Sequence, residues 1–183
     1  MIRPASLLLA LLILGFTSCE FHHDEVYEEP ITSLTYIFTP DNGTTVVLQY
    51  LDRDGEGGQP AVINSGSLAP STTYQGQLQL NSLGKHIPDT TSIARNPENY
   101  QVFFLPQNGL ELQAGYNDLD ANGSPVGLKT TIHTGPSSEG RLMVIIKRNP
   151  DKSAAGVVDG NITNAGGKTS FEVSFDVRIE ANS

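Results

Sequence analysis

The sequence predicts an all-β protein: an antiparallel, immunoglobulin-like β-sandwich of about eight strands, preceded by a signal peptide and a flexible tether. Three observations carry this. Apolar residues recur at every second position through much of the chain. Clusters of Asp, Asn, Gly and Pro interrupt those runs at short intervals. No segment carries an apolar stripe at the 3.6-residue period of a helix.

The N-terminus sets the address. Arg3 precedes an apolar run from Leu7 to Phe16, and the small residues Thr17 and Ser18 lead into Cys19. This is the order of a secretory signal: basic start, short apolar core, small residues at the cut. The run falls short of the roughly 20 residues that a membrane-crossing helix needs. Phe16-Thr17-Ser18-Cys19 resembles the lipobox of bacterial lipoproteins, with Phe16 where leucine is usual. Residues 1–18 therefore read as a lipoprotein signal peptide, and Cys19 as the lipidated first residue of the mature chain. Cys19 is the single cysteine, so it has no internal disulfide partner, and a free thiol in an oxidising compartment is a liability. An ordinary secreted protein with a stray thiol is the alternative. On the lipidation reading the protein is anchored to a membrane rather than spanning it.

Residues 19–32 form the tether. Glu20, Asp24, Glu25, Glu28 and Glu29 are packed into it with few apolar residues, a composition that stays solvated. An acidic segment just after the lipidated cysteine resembles the surface-export signal of Bacteroidota lipoproteins; a solubilising spacer is the other reading. Cleavage after residue 18 removes Arg3 and no acid, moving the formal charge from −9 to −10. Such a chain is unsuited to nucleic acid, whose phosphates demand basic patches.

Residues 33–183 suit one domain with a sizeable core. Its clearest strands are TYQGQLQLN, with Tyr74, Gly76, Leu78 and Leu80 on one face and Gln75, Gln77, Gln79 and Asn81 on the other; LELQAGY over 110–116; and SFEVSFDVRIE, with Phe171, Val173, Phe175, Val177 and Ile179 on one side. Alternation of this kind marks a strand with one wet face. Further strands are expected over Leu34–Thr39, Thr45–Leu51, Tyr100–Leu105, Val126–Thr134 and Leu142–Lys147. The turn signals between them are PDNG, DRDGEGG, DANGSP, RNPDKSAAG and NAGG. The two longest loops are expected over 82–99 and 148–168.

The blocks YLDRDGEGG, SLAPSTTYQGQLQL, YNDLDANGSPVGL and KRNPDKSAAGVVDGNITNAGGKTSFEVSFDV resemble a family of small Bacteroidota outer-membrane lipoproteins often labelled "type 1 periplasmic-binding fold superfamily". The resemblance covers nearly all of residues 33–180 and is most specific in the last 70 or so. The label implies an α/β fold with alternating strands and helices, whereas these residues alternate with period two and predict a sandwich. Similar proteins accompany TonB-dependent outer-membrane receptors, which implies an accessory role in uptake with such a receptor as partner.

Two acidic turns are the candidate metal site. DLDANGSP places Asp118, Asp120 and Asn122 at alternate positions before Gly123, matching the first half of a calcium loop. The closing acid is missing: Lys129 stands near where a glutamate would close the loop. DRDGEGG offers Asp52, Asp54 and Glu56 as further oxygens if the two turns lie together. Against Ca2+ stands the plain reading that Asp, Asn and Gly are what hairpin turns need. His22 and His23 lie in the tether, without the pre-organisation of a metal site. Asp89-Thr90-Thr91 resembles a Bacteroidota O-glycosylation acceptor, with Thr90 as the modified residue. No metalloprotease helix, nucleophile elbow or phosphate-cradling loop occurs, and no acid–base pair or nucleophile set is visible.

The chain is therefore expected to be a non-enzymatic, lipid-anchored outer-membrane protein, facing the periplasm or the cell surface, with a binding or accessory role beside an uptake receptor. A structural or adhesive surface module that binds glycan or protein is the alternative. Either way the partner is expected at loops or an edge strand, because the apolar strand faces are committed to the core.

Overall fold

A computed structural model describes residues 31–55, 58–82 and 89–181. Cys19, His22, His23 and Glu56 lie outside the described residues, with the signal peptide and most of the tether.

Ten strands build two sheets. They are β1 (Ile31–Pro40), β2 (Val46–Leu51), β3 (Val62–Asn64), β4 (Ser67–Leu68), β5 (Thr73–Ser82), β6 (Tyr100–Gln107), β7 (Leu112–Tyr116), β8 (Lys129–Thr134), β9 (Ser138–Arg148) and β10 (Lys168–Ile179). The first sheet has the order β3-β2-β1-β5-β8-β7 and the second β4-β10-β9-β6. All pairings are antiparallel except β4 with β10. The all-β sandwich expected from the sequence is thus present, and each of the eight expected strands has its counterpart. The two extra strands, β3 and β4, have three and two residues and carry the chain from an edge of one sheet to an edge of the other. β1 starts at Ile31, inside the stretch read as tether.

Alternation places the core. Along β5 every second residue from Tyr74 to Leu80 is buried, and Tyr36, Phe38, Leu48, Phe104, Val144, Ile146, Phe175 and Val177 join it between the sheets. Tyr36 anchors this layer, its ring 4.3 Å from that of Phe38 and 5.0 Å from that of Phe104. Its phenol shares a buried 2.7 Å hydrogen bond with Thr130 Oγ1. Gly76 makes room for that pair, since a Cβ there would run into Thr130 Oγ1 and the Tyr36 ring.

Within the loops expected over 82–99 and 148–168, residues 89–99 and 149–167 carry regular structure. Thr90–Arg95 form a short helix, α1, capped by Asp89, whose side chain accepts from Ser92 N at 2.6 Å. Its one buried residue, Ile93, joins the inter-sheet core. Six residues are too few to show a helical period. Residues 149–167, between β9 and β10, fold back over the outer face of the second sheet. Val157 and Ala165 are buried there against Phe103 and Ile145, with Ala154, Ile162, Leu105 and Met143 around them. Around Phe103 and Ile145 the second sheet is thus covered on both faces.

Candidate functional site

The acidic loop between β7 and β8 is built around two carboxylates that bind inward. Asp118 accepts from Gly127 N and Leu128 N, one per oxygen, each at 2.9 Å. Asp120 Oδ1 accepts from Asn122 N and Ser124 N, each at 2.9 Å. Asp120 Oδ2 meets Lys152 Nζ at 2.9 Å, with the two side chains 1% and 8% exposed. Lys152 also donates to Pro97 O at 2.8 Å. One ammonium therefore ties the acidic loop to the 149–167 segment and to the turn after α1. Burial by itself would raise the Asp120 pKa. Lys152 and the Ser124 and Asn122 amides outweigh it and hold the carboxyl below its ordinary range.

The same loop seals the edge of the second sheet. Val126 O accepts from Val102 N at 2.8 Å, and Tyr116 OH donates to Val102 O at 2.8 Å. Gly127 lies so close to β6 that a Cβ would stand 2.9 Å from Val102 Cβ, and its φ of +97° also favours glycine. Burial, partly offset by a hydrogen bond with Gln101, pushes the Tyr116 phenol up to about 12. Gln101 is fully buried and donates to Val157 O at 2.8 Å, fastening the 149–167 segment from beneath.

The two acidic turns do not lie together. Asp52 and Asp54 sit in the turn after β2, whereas Asp118, Asp120 and Asn122 follow β7, and β1, β5 and β8 stand between. At about 4.8 Å per strand the separation is on the order of 15–20 Å. Each acid is also occupied as a turn former: Asp52 accepts from Gly55 N and Asp54 from Gln59 N, both at 2.9 Å. Among the described residues no cluster of three His, Cys, Asp or Glu side chains could hold a metal ion. In the β7–β8 loop the positive charge is supplied by Lys152, from the segment between β9 and β10. Nothing in the sequence marked it, because its partner lies 32 positions away.

Thr90 sits at the start of α1 with its hydroxyl engaged. It accepts from Leu80 N at 2.7 Å and reaches Leu80 O at 3.3 Å. A glycan there has to displace both contacts, while the neighbouring Thr91 is exposed. His133 lies on the outer face of the first sheet, where its Nδ1 pairs with Thr73 Oγ1 at 2.9 Å.

Two surfaces among the described residues stand out. One is that outer face, formed by Thr35, Thr39, Gln75, Gln77, Gln79, Asn81, Gln113, Asn117 and Thr131. Among its ionisable side chains are Lys129, His133 and, at its margin, Glu111. The other is a groove of about 390 Å³ along β7, lined by Ala114, Tyr116, Leu119, Pro125, Val158 and Asp159 among others. No protein-family model, curated protein or solved structure matches the chain.

Proposed function

We propose that this chain is a lipid-anchored, non-enzymatic binding protein of the bacterial cell envelope, held at the outer membrane through Cys19 and serving as an accessory to an uptake receptor of the TonB-dependent kind. The observation that carries the reading is the single cysteine placed directly after a short apolar run and before an acidic segment. The receptor rests on the resemblance to small Bacteroidota lipoproteins. Eleven residues separate Cys19 from Ile31; at full extension they span up to about 40 Å. That reach lets a domain search the neighbourhood of its anchor, and confinement to one membrane raises its effective concentration for a receptor there.

The test has two arms. Cys19→Ala should abolish incorporation of labelled fatty acid and move the protein out of the membrane fraction. Unchanged incorporation or unchanged fractionation refutes the anchoring. Co-purification from cross-linked outer membranes should then recover a receptor with the native chain and lose it with Cys19→Ala.

An adhesive module that binds glycan or protein is the second reading, and one observation favours it. The chain has 20 acidic residues, yet the outer face of the first sheet is rich in amides and hydroxyls around Gln75, Gln77, Asn117 and Thr39, with Ile37 and Val47 beside them. Gln77, Gln79 and Gln113 make no side-chain hydrogen bond to other described residues, so their donors and acceptors are open to a neutral polar ligand. Binding to glycan arrays that is lost with Gln77→Leu/Gln79→Leu, and no receptor in the cross-linked fraction, would favour this reading over the first.

A further inference from the structure

The open edge of β7 is a place where another strand can be added. The hydrogen bonds from Gly135 N to Glu111 O (2.7 Å) and from Asn117 N to Lys129 O (2.9 Å) fix the phase of the β7–β8 ladder. With that phase the odd residues of β7 bond to β8. The backbone groups of Leu112, Ala114 and Tyr116 point away from the sheet. Leu112 N turns back to Leu110 O at 3.1 Å. Ala114 and Tyr116 have no backbone partner among the described residues.

Natural sheets blunt their edges with Lys, Pro, bulges, very short strands or a covering loop. The other edges here follow that rule. β3 and β4 have three and two residues, and β6 has Pro106 together with the covering contacts from Val126 and Tyr116. β7 reads Leu-Gln-Ala-Gly-Tyr, five residues with neither charge nor proline nor bulge. Beside it lies the 390 Å³ groove, whose walls carry Leu119 and Val158, 61% and 47% exposed.

We propose that β7 accepts an extended peptide segment of a partner protein as an added antiparallel strand, its alternate side chains lying against Leu119 and Val158. Main-chain bonds to Ala114 and Tyr116 supply affinity, and the groove supplies selectivity. Charge fixes the partner's character. Asp159 lines the groove and its carboxylate has no partner among the described residues, while the whole chain carries −9. A segment with small apolar residues at alternate positions and a Lys or Arg to meet Asp159 is attracted. A second copy of this chain, equally acidic, is repelled. The inference takes from the preceding reading only that the chain binds a partner. It stands or falls on the β7 edge, whether or not Cys19 is lipidated.

The probe is a displayed library of random twelve-residue peptides, selected against the purified chain. Recovered peptides should alternate apolar and polar residues, include Lys or Arg and be poor in Asp and Glu. Val158→Glu, at an exposed site, should weaken their binding at least tenfold with the melting temperature unchanged. Ala114→Pro removes the outward N–H and should abolish binding. Asp159→Lys should reverse the preference, so that peptides with Glu in place of Lys bind better than their parents. No enrichment, enriched peptides that bind the Val158→Glu chain as well as the native one, or an unreversed charge preference would each overturn the proposal. So would a dimer in solution that Ala114→Pro dissolves, which would make a second copy the occupant.

Discussion

Lys152→Met tests the polar junction that holds the 149–167 segment against the sandwich. Methionine keeps the length and apolar stem of lysine and removes the ammonium. Asp120 Oδ2 then loses its 2.9 Å partner and Pro97 O its 2.8 Å donor. Asp120 keeps the Asn122 and Ser124 amides on Oδ1 but has no counter-charge at Oδ2, and its side chain is 1% exposed. Breaking a buried ion pair by removing one partner costs about 3–5 kcal/mol. In a domain of this size each kcal/mol moves the melting temperature by about 2–4 °C, so a fall of roughly 6–20 °C is expected. Asp120→Asn should cost a similar amount. The double variant should cost less than the sum of the two, with a coupling of about 2 kcal/mol or more. Thermal and urea melts of the four chains measure this directly. The native melt should not respond to millimolar calcium, because the ion would have to displace Lys152 from Asp120. A Lys152→Met loss below about 1 kcal/mol, additive single effects, or a calcium-dependent rise in the native chain would refute Lys152 as the loop's resident counter-charge.

Three further outcomes follow from the core and its margins. Gly76→Ala drives a methyl into the Tyr36–Thr130 pair and should cost about 1–3 kcal/mol, read by urea denaturation; a neutral substitution would mean the pair gives way freely. Tyr116, with its phenol pushed up to about 12 from 10.0, contributes stability that is present below about pH 10. That stability is lost as pH rises toward the folded value, at about 1.4 kcal/mol per pH unit, so melts should weaken between about pH 10 and 12, and a flat profile there contradicts the burial. Thr90→Val removes the hydroxyl that meets Leu80 N and O and should cost about 1 kcal/mol; mass spectrometry of the native chain from its host, showing an unmodified Thr90, is the matching check on the glycosylation reading.

Where one face of a strand is wet, the sequence was legible. β5 and β10 alternate almost without a break, and both buried faces were readable from Tyr74–Leu80 and Phe171–Ile179. Strand order was not legible, since it rests on pairings such as Tyr36 with Leu78 that lie far apart in the chain. β3 and β4 are too short to show a period, and α1 has a single buried residue. The cover over the second sheet did leave a signal. VFFL in β6 and LMVII in β9 are continuous apolar runs, as expected of strands buried on both faces. They imply a third layer, which the Gly-rich stretch over 149–167 supplies. The acidic turn was legible as a turn, but not what its carboxylates hold: the Asp-x-Asp-x-Asn spacing serves backbone amides and one distant lysine.

Those pieces together decide where a partner can touch this domain. The inner faces of both sheets are committed to Tyr36, Phe104, Phe175 and their neighbours. The outer face of the second sheet is covered over Phe103 and Ile145 by the 149–167 segment. Its uncovered part carries charged pairs such as Arg141–Asp176, both side chains more than half exposed, which contribute little on their own. The edge at β6 is closed by Val126 and Tyr116. Among the described residues, the amide face of the first sheet and the β7 edge beside it are also exposed, and these two surfaces meet at Gln113 and Asn117. Lys152 bears on both. It holds the loop bearing Leu119 against the segment bearing Val158, and so sets the width of the groove from beneath. Lys152→Met should therefore weaken peptide capture at β7 even at temperatures where the chain remains folded, whereas Gly76→Ala, which acts only through the core, should leave capture in step with the folded fraction. Equal capture per folded molecule in the two variants would separate the junction from the groove.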